Sequence, residues 1–201
     1  ATHLFNYLTG YSLKEDYKKL LVAPINLRQR FQELIQREIE HQRAGRGGYL
    51  IFKMNSLVDN PIIRQLYQAS QEGVKIDLIA RGICSLRPGI KGLSENIRVI
   101  SIVGRFLEHS RIYYFNNGGD PKILLGSADL MPRNLNQRVE VLFPVEDASI
   151  IKNIKGPILD TLLRDNVKAR LMQSDGTFRL LQPGKGEEVV NSQEVFLNRR
   201  R

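Results

Sequence analysis

His109-Ser110-Arg111-Ile112-Tyr113-Tyr114-Phe115 starts with an imidazole and a guanidinium two residues apart and runs into an apolar, strand-like stretch. Ile123-Leu124-Leu125-Gly126-Ser127 and then Asn134 follow it. The order is therefore His-x-basic, strand, Gly-Ser, Asn. These residue types suit phosphate chemistry. An imidazole can attack phosphorus or carry a proton near neutral pH, a fixed cation stabilises non-bridging oxygens, and a hydroxyl and an amide supply further hydrogen bonds. Taken alone, a histidine two residues from an arginine reads more readily as a satisfied strand-edge residue. The residues around it decide between the two.

Working outward, the strands after this point come consecutively: Arg111 to Phe115, Ile123 to Gly126, and Arg138 to Phe143. Before it, strands alternate with helices. Leu20-Leu21-Val22 reads as a short strand ahead of a helix from about Asn26 to Arg43, with Leu27, Phe31, Leu34, Ile35 and Ile39 at helical spacing. After the break at Gly45, Gly47 and Gly48, Tyr49 to Met54 reads as a strand, and Asn60-Pro61 as the N-cap and first position of a helix running to Gly73. Strand Val74 to Ala80, the Gly/Pro-rich loop Arg81 to Gly92 and a strand near Val99 to Ile102 complete this half. Alternation first and consecutive strands later predict an α/β fold, a mixed sheet flanked by helices. Ile150 to Leu163 follows as an amphipathic helix, Asp175-Gly176 and Pro183-Gly184 mark turns, and about residues 181–201 read as a basic, mobile tail.

Composition narrows the function classes. The 201 residues suggest one domain with a small neighbour or tail, and 42% hydrophobic with 25% charged residues is a globular balance. No apolar run reaches the roughly 18 residues of a membrane span, and the single Cys84 fits a reducing compartment. The net charge of +9 attracts polyanions without choosing among nucleic acid, anionic lipid and polyphosphate. With no Trp and 7% aromatic residues there is no stacking platform for single strands, so no nucleic-acid partner is expected. Arg199-Arg200-Arg201 reads as a solvated tail.

Several segments together resemble one family. Leu4-Phe5-Asn6-Tyr7-Leu8-Thr9-Gly10, Lys53-Met54-Asn55-Ser56-Leu57-Val58-Asp59, Arg81-Gly82-Ile83-Cys84-Ser85-Leu86-Arg87-Pro88-Gly89, Gly104-Arg105-Phe106-Leu107-Glu108-His109 and Ser127-Ala128-Asp129-Leu130-Met131-Pro132-Arg133-Asn134 resemble the carboxy-terminal, phospholipase-D-like part of bacterial polyphosphate kinase. The resemblance runs from about Leu4 to Arg179. It implies a phospholipase-D-like sheet over residues 18–201, with residues 1–17 ending a preceding domain of a longer protein. It also implies ATP, ADP and inorganic polyphosphate as substrates, magnesium with ligands not found in this stretch, and a homo-oligomeric enzyme. Such an enzyme would be cytoplasmic, at most peripheral to the inner membrane.

Candidate site residues follow from chemistry and resemblance together. Arg81 ends a strand, at the edge where α/β sheets place ligand loops, and offers a permanently charged fork to phosphate. The family's matching arginine and the histidine matching His109 bind nucleotide or phosphate. Lys53 ends another strand on the same rim with Asn55, two residues on, sharing its side, and Arg138 opens the strand after Ser127. Arg111 stands where the phospholipase D pattern has lysine; it keeps the charge but cannot give up a proton, so an electrostatic role or pairing with Glu108 or Glu140 is expected. Ser127 and Asn134 are placed to orient His109 or a phosphate oxygen, while Asp129 would need a cation such as Arg133. In the family the phosphorylated histidine lies in the preceding domain. Neither His3 nor His41 matches its motif, and His41 is expected on a solvated helix face beside Glu38 and Glu40. Two alternatives stay open: a phospholipase-D-like phosphodiesterase or nuclease that dimerises to pair two copies of His109, and a non-catalytic polyanion-binding module.

Overall fold

The computed structural model describes residues 5, 6, 9 and 17–199. Most of the stretch expected to end a preceding domain, His3 included, lies outside the described residues. The element order is β1 (Leu21–Ala23), α1 (Leu27–Arg43), β2 (Tyr49–Met54), α2 (Asn60–Gln71), β3 (Lys75–Ala80), β4 (Ile97–Ile102), β5 (Arg111–Phe115), β6 (Lys122–Gly126), α3 (Pro132–Asn136), β7 (Glu140–Val145), α4 (Ala148–Asn153), β8 (Ala169–Met172), β9 (Phe178–Leu180) and α5 (Ser192–Asn198). Among the described residues these strands form one nine-stranded sheet in the order β1-β7-β6-β5-β2-β3-β4-β8-β9. β2, β3 and β4 run parallel to one another; every other pairing is antiparallel. This is the mixed sheet flanked by helices that the alternation of periods predicts.

Both faces of the central strands are covered, as parallel strands require. Successive residues of β2 go to opposite sides: Leu50 and Phe52 join the cluster under α1 and α2, and Ile51 joins the one under the α4 segment. Phe31 of α1 anchors the first cluster, its ring 5.3 Å from Phe52 and 5.0 Å from Tyr113, tilted and edge-on respectively. Such pairs add about 1 kcal/mol each beyond the area they bury.

Several boundaries differ from the sequence reading for identifiable reasons. The N-cap of α2 is Asp59, whose carboxylate accepts from Ile62 N, so Pro61 stands one position deeper than expected. The helix read over Ile150 to Leu163 is α-helical to Asn153 and then widens into a π-helical stretch, Ile154–Asp160. Pro157 has no N–H to give to the preceding turn, which accounts for the altered ladder. The Asp175-Gly176 turn joins β8 to β9, two strands the sequence reading omits. The expected tail contains α5. Its first residue, Ser192, is fully buried and donates from both N and Oγ to Asp165 Oδ2, at 2.9 and 2.7 Å. Among the described residues no helix is long and apolar enough to cross a membrane.

Candidate functional site

The parallel strands bring their carboxyl ends to one edge. β2 ends with Lys53 and Met54 and is followed by Asn55, and β3 is followed by Arg81. The turn from β4 into β5 carries His109. β5 is antiparallel to β2, with Lys53 opposite Ile112, so Arg111 enters the sheet at that same edge. β6 returns beside it with Gly126 opposite Arg111. A Cβ on Gly126 would lie 1.9 Å from the carbonyl oxygen of Val141, so only glycine lets β7 approach here. Topology thus collects Lys53, Asn55, Arg81, His109, Arg111 and Ser127 at one rim from positions far apart in sequence.

Their hydrogen bonds form a connected network. Arg111 donates from Nε and Nη2 to the two oxygens of Asp129, at 3.2 and 3.0 Å. Asn55 donates from its backbone N to Asp129 Oδ1 at 2.8 Å and from its side chain to both oxygens. The Asn55 oxygen in turn accepts from Arg81 Nη2 and Nε, at 2.8 and 3.2 Å. Burial pushes the Asp129 carboxyl up, but the bonds from Arg111 and Asn55 outweigh it and hold the group below its ordinary value. Asp129 is therefore paired, and its cation is Arg111. Pairing of Arg111 with Glu108 or Glu140 does not occur, and Arg133 is exposed with its contact on the Met131 sulfur.

His109 is exposed, and its Nδ1 lies 3.2 Å from Arg111 Nη1, which also donates to the His109 carbonyl at 2.9 Å. A guanidinium only donates, so this contact is a hydrogen bond in the tautomer whose Nδ1 accepts and whose ring hydrogen sits on Nε2. Lys53 is 4% exposed and donates to the carbonyl and hydroxyl of Ser110 at 3.0 and 2.9 Å, with Glu108 at 3.6 Å. Desolvation lowers its pKa, against the pull of Glu108. Lys53 therefore grips both neighbours of His109 rather than lying open on the rim.

The remaining predicted residues make no hydrogen bond to His109. Ser127 and Asn134 both donate to the carboxylate of Glu140, Asn134 at 2.5 Å. Glu140, which the sequence reading considers only as a partner for Arg111, is the centre of this second cluster. β7 begins at Glu140, so Arg138 falls on the exposed turn before it, without an ion pair among the described residues. His41 does not stand beside two solvated carboxylates: Glu38 is buried and accepts from the backbone N of Tyr49 and Asn117, while His41 Nδ1 accepts from Arg46.

Comparison with known proteins bears on what this rim belongs to. A family model described as "Polyphosphate kinase C-terminal domain 2" matches residues 20–193. The chain belongs to that family. A polyphosphate kinase of Synechocystis sp. is 55% identical over 97% of the chain, and the chain spans only 27% of that relative's length. The crystal structure of polyphosphate kinase from Porphyromonas gingivalis superposes with a TM-score of 0.93 at 40% identity, covering 99% of this chain and 31% of that one. Nuc from Salmonella typhimurium, a phospholipase D family member, superposes at 0.55 with 11% identity over 78% of this chain and 97% of its own. That likeness concerns the fold alone, and the fold is phospholipase-D-like.

Proposed function

We propose that this chain is the carboxy-terminal catalytic domain of a polyphosphate kinase, which reversibly transfers the terminal phosphate of ATP to inorganic polyphosphate. The observation that carries the reading is His109 standing exposed above a bed of cations in a chain of this family. In the tautomer that accepts from Arg111, the exposed His109 carries an Nε2–H that can donate to a phosphoryl or leaving-group oxygen. Arg81 keeps Nη1 without a bond to the described residues and supplies positive charge at the same rim. Arg111 neutralises Asp129 and holds the His109 ring, an electrostatic part that needs no proton.

The step we infer breaks the bond between the γ-phosphorus and the bridging oxygen of ATP and forms a P–N bond to a histidine in the rest of the enzyme, releasing ADP. A terminal polyphosphate oxygen then attacks that phosphorus and frees the histidine. The phosphorylated histidine is implied by the family resemblance, as are self-association of the full enzyme and a cytoplasmic location. The residues at hand do not fit a magnesium ion. No group of three His, Cys, Asp or Glu residues among the described ones could hold a metal, and Asp129 and Glu140 are engaged by Arg111, Asn55, Ser127 and Asn134. No step here is assigned to it.

The test is to assay this chain alone and joined to the rest of its protein, with ATP and with polyphosphate plus ADP. The reading expects turnover only from the joined form, because the covalent step needs a group the chain lacks. Phosphodiester cleavage or polymer synthesis by the chain alone would favour a self-dimerising phospholipase-D-like enzyme.

A further inference from the structure

Residues 103–110, which carry His109, leave β4 and enter β5 with little to fix them. Residues 103–109 make no turn or loop backbone hydrogen bond among the described residues. Nor does apolar packing hold them down: Val103 is 54% exposed, Phe106 44% and Leu107 69%. The loop's position therefore rests on a few side chains from elsewhere. Lys53 holds its end through Ser110 and Glu108. Its middle is held by Gln193, the second residue of α5. Gln193 is 5% exposed; Nε2 donates to the carbonyl of Phe106 at 2.8 Å, and Oε1 accepts from Phe106 N at 3.0 Å. One amide thus satisfies both backbone groups of a single loop residue, as a neighbouring strand would. Nε2 also lies 3.5 Å from Glu108 Oε1, next to His109.

The fit is close and the amide is itself anchored. A Cβ on Gly104 would stand 2.4 Å from Gln193 Oε1, so a methyl there would push the amide away from Phe106. Behind Gln193, Ser192 is bound to Asp165, whose other oxygen accepts from the backbone N of Val167, Lys168 and Ala169. At the far end of α5, Arg199 donates to the carbonyl of Pro157 at 2.6 Å.

We propose that Gln193 is a positioning residue for His109: the carboxy-terminal helix uses this amide to splint the 103–108 loop, and so fixes where the imidazole stands. The proposal rests on the reading of His109 as an acting group of a polyphosphate kinase. Gln193 touches no reacting atom in it. Its effect falls on turnover, since a displacement on the order of 1 Å in a catalytic group can cost as much as about 10²-fold, whereas nucleotide contacts at Arg81 stay in place.

The experiment uses the full-length enzyme. Gln193→Met, similar in size but without hydrogen bonds, should lower kcat by about tenfold and leave KM for ATP within about twofold. The Phe106 backbone amide, which Gln193 alone protects among the described residues, should exchange with deuterium faster, while the melting temperature stays near that of the parent. The contact is also broken from the loop side. Gly104→Ala should impair turnover in the parent but cost little more in a Gln193→Ala background, where the smaller side chain leaves room for the new methyl. Unchanged kcat and exchange in Gln193→Met, or an equal penalty of Gly104→Ala in both backgrounds, would overturn the proposal. If the unsubstituted enzyme makes no polyphosphate, the functional reading fails, and the exchange of the Phe106 amide still decides whether Gln193 holds the loop.

Discussion

Arg111 holds Asp129 in a two-pronged grip, Nη2 to Oδ2 at 3.0 Å and Nε to Oδ1 at 3.2 Å. The grip explains why arginine suits a position that carries lysine in the phospholipase D pattern: one planar fork neutralises a carboxylate while its third nitrogen reaches His109. The order then passes outward, because Asp129 fixes Asn55 and Asn55 fixes Arg81.

Asp129→Asn should break this order at its origin. It leaves the Arg111 guanidinium largely buried without a counter-charge, which costs about 3 kcal/mol. Urea unfolding should show the loss as a lower midpoint at constant slope. A midpoint within error of the parent would mean that solvent, not Asp129, balances Arg111.

Among the carboxylates held below their ordinary values, the two buried ones, Asp129 and Asp165, should dominate acid sensitivity, because solvent screens the exposed ones. Burial raises Asp129 and Asp165, but hydrogen bonds from Arg111 and Asn55, and from Ser192 with backbone N–H groups, leave both below their ordinary values. A depressed folded pKa gives stability that is complete above the unfolded value of about 3.9 and disappears as pH falls through the lower folded value. The melting temperature should stay level between about pH 5 and 7 and drop below about pH 4. In Asp165→Asn the drop should be shallower; an identical profile would remove Asp165 from the account.

Gly126→Ala should be severely destabilising, at the high end of single substitutions, above about 4 kcal/mol, since its methyl would overlap the Val141 carbonyl at 1.9 Å. Gly156 has nothing within 4 Å of its would-be Cβ, and alanine there should be neutral or stabilising by about 0.5 kcal/mol. Thermal melts of the two variants give the comparison, and similar melting temperatures would contradict the packing argument.

Lys53→Met should act on the His109 loop rather than on anion binding. With Lys53 bound to Ser110 and beside Glu108, its loss frees both neighbours of His109. In the full-length enzyme kcat should fall about tenfold with polyphosphate affinity little changed. A loss of affinity with kcat intact would return Lys53 to the phosphate-binding role that its place on the rim suggests.

The sequence made the sheet legible wherever a strand is bounded by residues that cannot continue it. Arg111–Phe115 lies where it is expected, and the mixed architecture follows from alternation giving way to consecutive strands. β7 begins later than expected because the backbone N–H of Gln137 and of Arg138, just past α3, both bond back to the carbonyl of Arg133 in its first turn, a local cap with no signature in apolar spacing. At the rim, residue types revealed which groups meet but not how they pair. Whether Arg111 takes Asp129, Glu108 or Glu140 depends on the register of β5 against β6, and several carboxylates fit by chemistry alone. Gln193 carried no signal, because an amide in a basic, polar tail looks like any solvated glutamine until the helix is seen to dock.

The central claim is that His109 acts in phosphoryl transfer, and His109→Ala in the full-length enzyme tests it most directly. The ring is exposed, so its loss should leave the melting temperature near that of the parent. Polyphosphate synthesis from ATP should fall by about 10²-fold or more, the scale for removing a positioned acid–base group. Near-normal polymerisation by the variant would make His109 a strand-edge residue and contradict the account.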